Sequence, residues 1–132
     1  MSGIPIGLKH EESIAVTSGL AINFMELEDT RVLATPYLIW YMEVCSRNAV
    51  KRFLETGQDT VGTKVNVAHL AATPLGMTAR FVSEVIEVDR RRVVFKVEAY
   101  DDKEKIGEGT HERFIVDIGK FAARVWEKRL TP

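Results

Sequence analysis

The sequence holds a single cysteine, Cys45, in 132 residues. No disulfide can form within one chain, and a reducing compartment is the natural setting. Long apolar runs are missing as well. The longest uninterrupted one, residues 37–42, falls far short of the roughly 20 residues that cross a bilayer. The opening residues carry no charged stretch leading into an apolar one, so no secretory signal is expected and the location read from the sequence is cytoplasmic. Neither sign of charge dominates. With 18 basic and 19 acidic residues the formal net charge is −1, which gives no electrostatic reason to expect nucleic acid or an anionic membrane as partner. A local basic spot can still hold a small polyanion. Repeats, linkers, phosphate loops, dinucleotide fingerprints and nucleophile elbows are all absent. The three histidines, His10, His69 and His111, lack metal-ligand spacing, so no metal site is expected. What is present is 45% hydrophobic and 28% charged residues, a globular composition of the size of one domain, read here as spanning residues 1–132.

The pattern of apolar residues predicts an α+β chain. Residues 12–17 alternate as a short strand, and residues 24–30 are acidic and read as a loop. Thr35-Pro36 announces a helix, with threonine suited to the N-cap and proline to the first turn. The helix is predicted to run to about Leu54, with Gly57 beyond it as a stop. Its first half is apolar almost all round, which implies burial on every side. Four strands follow, over residues 61–73, 78–88, 92–100 and 106–118, and a short amphipathic helix over 121–128. In the third of these strands Val93, Phe95, Val97 and Ala99 face one way and Arg92, Lys96 and Glu98 the other, as in a half-buried antiparallel strand. A strand, a buried helix and a four-strand meander bury themselves best as a sheet curled around the helix, the hotdog fold. One helix cannot cover a wide sheet, and the sheet keeps a bare edge. A second copy would cover both, so a homodimer or a higher oligomer is expected.

Three residues stand out chemically. Glu43 lies mid-helix among Tyr41, Met42, Val44 and Cys45. A buried carboxylate is costly unless paired, and its environment suits it to acid–base or nucleophilic work; the plainer reading is an i,i+4 ion pair with Arg47. Counting by twos places His69 on one strand face with Val61, Thr63, Val65, Val67 and Ala71, toward the helix. There it can exchange a proton near neutral pH, or simply be a hydrogen-bonded core histidine. Thr35 is explained as a cap, yet a helix N-terminus also offers free amides and a positive dipole end to an oxyanion. Cys45 reads as packing, Gly62 as a turn or bulge, and Arg113, on the strand face of His111 and Ile115, as a surface arginine.

Together these residues resemble a known family. Val32-Leu33-Ala34-Thr35-Pro36 with Met42-Glu43 resembles the start of the central helix in fluoroacetyl-CoA thioesterase-like proteins. Gly62-Thr63 to His69-Leu70-Ala71-Ala72-Thr73-Pro74 resembles their histidine strand, and Gly107-Glu108-Gly109-Thr110-His111-Glu112-Arg113 their last strand. The resemblance runs from about Val32 to Val125. It implies an acyl-CoA thioesterase with Thr35, Glu43 and His69 as catalytic group and Gly62, His69 and Arg113 in contact with substrate. It also implies a homodimer with active sites near the interface. No cofactor is implied, since coenzyme A enters as part of the substrate. In the family's fluoroacetyl-specific members the segment before the catalytic threonine carries a lid over the acyl group. Here residues 24–31 look shorter and are strongly charged, which implies a more open pocket. The competing readings are a hotdog acyl-CoA dehydratase or hydratase and a non-catalytic acyl-CoA binding module. Binding alone does not need Glu43 paired with His69.

Overall fold

A computed structural model describes residues 3–132. Strand β1 spans Lys9–Ala15, helix α1 Thr35–Val50, β2 Gln58–His69, β3 Thr78–Asp89, β4 Arg92–Tyr100, β5 Lys105–Asp117 and helix α2 Ile118–Leu130. Short 3₁₀ turns occupy Ser18–Leu20, Glu28–Thr30 and Lys51–Phe53. The strands form one antiparallel sheet in the order β1-β3-β4-β5-β2, which leaves β1 and β2 at the two edges. The sheet curls over α1 in the hotdog arrangement. Among the described residues, no helix is long and apolar enough to cross a membrane.

The core forms where the alternating strand faces meet one stripe of α1. Val93, Phe95, Val97 and Ala99 are fully buried, as their period-two spacing requires. They pack with Phe81, Val85 and Ile106 against Leu38, Met42, Cys45, Ala49 and Val50 of the helix. Gly107 allows the close approach: a Cβ there would sit 3.1 Å from Leu38 Cδ2 and 3.2 Å from Met42 Cε. The outer face of the sheet carries ion pairs instead, with Arg92 between Glu87 and Glu112 and Lys105 between Glu98 and Glu108. This face is dressed for water.

Several boundaries move from those expected. The first strand begins earlier, at Lys9, because His10 and Glu12 are held by each other and by pairing with β3. Helix α1 stops at Val50 and tightens into a 3₁₀ turn before Gly57, whose φ of +86° ends the segment. Ala34, not Thr35, is the N-cap; Thr35 is the first helical residue and its side chain does not cap the helix. Nor is the first half of α1 buried all round, since Tyr37 and Trp40 are 40% and 56% exposed. One face of the helix meets the sheet and the other is left uncovered within a single chain. α2 is longer than expected and amphipathic, and none of its residues is buried.

Candidate active site

Strand β2 carries a bulge. Gly62 pairs with Arg113 and Lys64 with Glu112, so Thr63 is an extra residue and the side-chain phase slips there. The face expected from counting by twos is therefore broken. Gly62 and Val65, Val67 and His69 lie on the helix side of the sheet, while Val61, opposite Phe114, faces outward. Without the bulge either Gly62 or His69 would face solvent, and both ends of the strand could not turn polar groups inward.

At the C-terminal end of β2, His69 meets the start of α1. Thr35 Oγ1 lies 2.7 Å from His69 Nδ1. The threonine hydroxyl is thus committed to the imidazole, which is why it does not cap the helix. His69 Nε2 is buried and has no protein partner. Burial pushes the imidazole below its ordinary range, partly offset by the Ala71 backbone, so the ring is neutral near pH 7 and ready to accept a proton. Beside the pair opens a cleft of about 350 Å³ lined by Ile22, Val32, Leu33, Leu70, Ala71 and Ala72. A cleft of small apolar side chains ending on a threonine–histidine pair and a helix N-terminus can take an acyl chain and polarise its carbonyl.

At the N-terminal end of β2 a second polar group gathers around Gly62. Arg113 is only 5% exposed, not the surface residue its type suggests. Its Nε donates to Thr60 Oγ1 at 2.7 Å, and one terminal nitrogen donates to the Thr60 carbonyl at 2.8 Å. The other terminal nitrogen is 3.3 Å from Glu43 Oε1 and 3.2 Å from His111 Nε2. Glu43 therefore pairs across the fold with Arg113, not along the helix with Arg47, which instead binds Asp59 through two hydrogen bonds of 3.0 and 2.7 Å. Gly62 makes room for the carboxylate: a Cβ there would fall 2.6 Å from Glu43 Oε1. Burial lowers the pKa of Arg113, opposed by Glu43 beside it, and the guanidinium remains charged.

Thr35 and His69 are thus brought together, as are Glu43, Gly62 and Arg113, but in one chain the two groups stand at opposite ends of β2. Gly62 and His69 are seven residues apart on an extended strand, roughly 20 Å. Thr60 and His111 belong to the second group, yet neither was singled out from sequence as part of it. The signal for His111 was visible: it alternates with Arg113 on the apolar face of a strand, where two successive polar side chains need each other. Cys45 is buried in the core and its thiol is pushed up by that burial, as suits a packing residue. Among the described residues no three His, Cys, Asp or Glu side chains converge in a set able to hold a metal ion.

A sheet folded round one helix, with a threonine–histidine pair beside a cleft at the helix N-terminus, defines a hotdog-fold protein. The model of the fluoroacetyl-CoA-specific thioesterase family matches residues 16–118. A fluoroacetyl-CoA thioesterase of Streptantibioticus cattleyicolor is 39% identical over 101 residues, covering 76% of this chain and 73% of that protein. The solved structure of the fluoroacetyl-CoA thioesterase FlK superposes with a TM-score of 0.87 at 32% identity, covering 98% of this chain and 99% of that one. A thioesterase superfamily member from Thermus thermophilus gives 0.86 at 31% identity, covering 98% and 97%. The chain belongs to the fluoroacetyl-CoA-specific thioesterase family, and it is a thioester hydrolase.

Proposed function

We propose that this enzyme hydrolyses an acyl-CoA to the free acid and coenzyme A, at a site that a second copy of the chain completes. The observation that carries the chemistry is the 2.7 Å contact between Thr35 Oγ1 and His69 Nδ1 at the N-terminus of α1. A hydroxyl within hydrogen-bond reach of a neutral imidazole has the geometry of a nucleophile and its base. The acyl carbonyl lies against the first turn of α1, whose positive dipole end favours the oxyanion. Thr35 attacks, His69 takes its proton and returns it to the departing thiolate, and water then releases the acid. Glu43, held by Arg113, is the carboxylate that orients or activates that water. Gly62, His69 and Arg113 border the reacting end of the substrate. Coenzyme A comes and goes as part of the substrate, and the route calls on no metal or redox cofactor.

The homodimer is supported by the edge strand. Residues 62–66 of β2 are exposed, Val65 is 41% exposed, and the uncovered face of α1 bearing Trp40 lies on the same side of the sheet. Antiparallel pairing of two β2 edges would bring the Glu43–Arg113–Gly62 end of one chain beside the Thr35–His69 end of its partner. Each active site would then draw on both chains. A cytoplasmic setting agrees with the one unpaired thiol.

The test is thiol release from short, branched and aromatic saturated acyl-CoAs by the wild type, Glu43→Gln and His69→Ala. Loss of about 100-fold or more in either folded variant is expected for a positioned acid–base group. Near-normal turnover in either variant would refute the assignment, and failure to release coenzyme A from any saturated substrate would favour a hydratase.

A further inference from the structure

His111 is only 2% exposed and touches neither cleft nor solvent, yet both of its ring nitrogens are used. Nδ1 lies 2.9 Å from the Lys64 carbonyl and Nε2 3.2 Å from a terminal nitrogen of Arg113. A carbonyl can only accept and a guanidinium can only donate. The ring must therefore be neutral, with its proton on Nδ1 given to Lys64 and the Nε2 lone pair taken by Arg113. The same guanidinium nitrogen faces Glu43 Oε1. The Lys64 carbonyl sits at the β2 bulge, immediately after the residues that seat Gly62 against the carboxylate. The ring stacks against Phe95 at an interplanar angle of 26°, with centroids 6.2 Å apart.

We propose that His111 is a positioning residue of the thioesterase reaction: its neutral imidazole ties the β2 bulge to the Arg113 guanidinium and so sets where the Glu43 carboxylate stands. The proposal rests on the role given to Glu43 above. A second proton on Nε2 would remove Arg113's acceptor and put two positive groups about 3 Å apart. Arg113 would then turn away, and Glu43 would lose its seat. The charged groups around the ring are Glu43 from α1 and Arg113 and Glu112 from β5, while β2 contributes the Lys64 backbone carbonyl and β4 the apolar Phe95. Burial outweighs the nearby carboxylates and holds the imidazole below its ordinary range, in keeping with a ring that stays neutral at working pH.

Two substitutions separate the nitrogens. Gln at position 111 can place an oxygen near the site of Nε2 and accept from Arg113. Asn is too short to do so and mimics only the Nδ1 donor. We expect His111→Asn to lower kcat about tenfold or more with KM changed less than threefold, and His111→Gln to stay within about threefold of wild type; a lost hydrogen bond to a charged group is worth a factor of this order. The wild-type ring, observed by ¹⁵N NMR at pH 7.5, should show a protonated Nδ1 and a bare Nε2. Normal turnover in both variants, equal losses in both, or a protonated Nε2 would overturn the proposal. Glu43→Gln is the control. Should it retain full activity, the catalytic reading of Glu43 fails, while the NMR result still decides whether His111 accepts from Arg113.

Discussion

An alanine at position 62 would set its Cβ 2.6 Å from Glu43 Oε1, 3.2 Å from His111 Cε1 and 3.4 Å from an Arg113 terminal nitrogen. The nearest obstacle is the far end of a flexible side chain, so the fold can absorb it, but only by moving the carboxylate off Arg113. On the role proposed for Glu43, Gly62→Ala should therefore keep its melting temperature within a few degrees while kcat falls about tenfold or more, the cost of a displaced carboxylate; unchanged kcat with a lowered melting temperature would make Gly62 a purely structural glycine. Gly109 is the contrast. A Cβ there would run into the backbone of Asn66 and Val67, which cannot move without lifting β2 from β5. The titration of the half-buried His69 and the buried His111 has a definite sign. His69 and His111 are both held below the ordinary histidine range, mainly by burial, so the folded state binds fewer protons than the unfolded one as pH drops past about 6.5. Stability from this source is complete above that pH and is lost below it, and kcat/KM should show an acid limb below pH 6.5; a limb centred above 6.5 would contradict the neutral pair. Thr35, Glu43 and His69 could be picked out from sequence because each conflicts with its surroundings or has a special place on the helix. Their partners carry weaker signals: Gly62 and Arg113 enter only through the family resemblance, and Thr60 and His111 not at all. Arg113 looks like a surface residue until Thr60, Glu43 and His111, from three different elements, are seen to use its donors.

The elements were legible wherever one period held over many residues. Strand β4 has the same bounds in the chain as in its pattern, because Val93, Phe95, Val97 and Ala99 alternate without interruption. Strand β2 was legible in existence but not in phase: Gly62 reads as a turn or bulge, but a glycine does not say which, and the bulge at Thr63 reverses which side chains face inward. The helix began where expected, but its capping did not follow residue type, since the Thr35 hydroxyl found a partner 34 residues away. The segment before α1 shows the same limit. Its charges predicted a wet strand of chain unable to cover the acyl pocket. In the structure Arg31 ties it to Ser18 and Glu28, and Phe24, Met25 and Leu27 stand out into solvent rather than over the His69 cleft. Selecting fluorine over hydrogen requires a closely fitted, water-excluding enclosure, because the two atoms differ little in size. With its apolar side chains turned outward, this segment does not line the His69 cleft. The specificity constant for fluoroacetyl-CoA is expected to exceed that for acetyl-CoA by less than about 100-fold, the discrimination available to a single small contact. A preference of several orders of magnitude would show that the segment closes when substrate binds.

At the scale of the whole molecule, the sheet has two edges that differ in kind. Strand β1 is short and polar, with Lys9, His10, Glu11 and Glu12 along it, whereas β2 is long and presents Val65 and Val67 toward an uncovered helix face. The proposed pairing through β2 would remove the exposed edge and join the two polar groups that one chain keeps apart. That arrangement predicts a result no single-chain site can give. His69→Ala chains retain Glu43, and Glu43→Ala chains retain His69. When the two inactive variants are unfolded together, mixed in equal amounts and refolded, half of the dimers are hybrids if pairing is random. In each hybrid one site combines the intact His69 of one chain with the intact Glu43 of the other, and its second site lacks both. Activity should return to about a quarter of wild type, as follows from two-fold symmetry and random pairing. The same mixture without refolding should remain inactive for as long as the dimers do not exchange. Light scattering giving the mass of one 14.9 kDa chain, or a refolded mixture no more active than its parents, would place all the catalytic residues of a site within one chain.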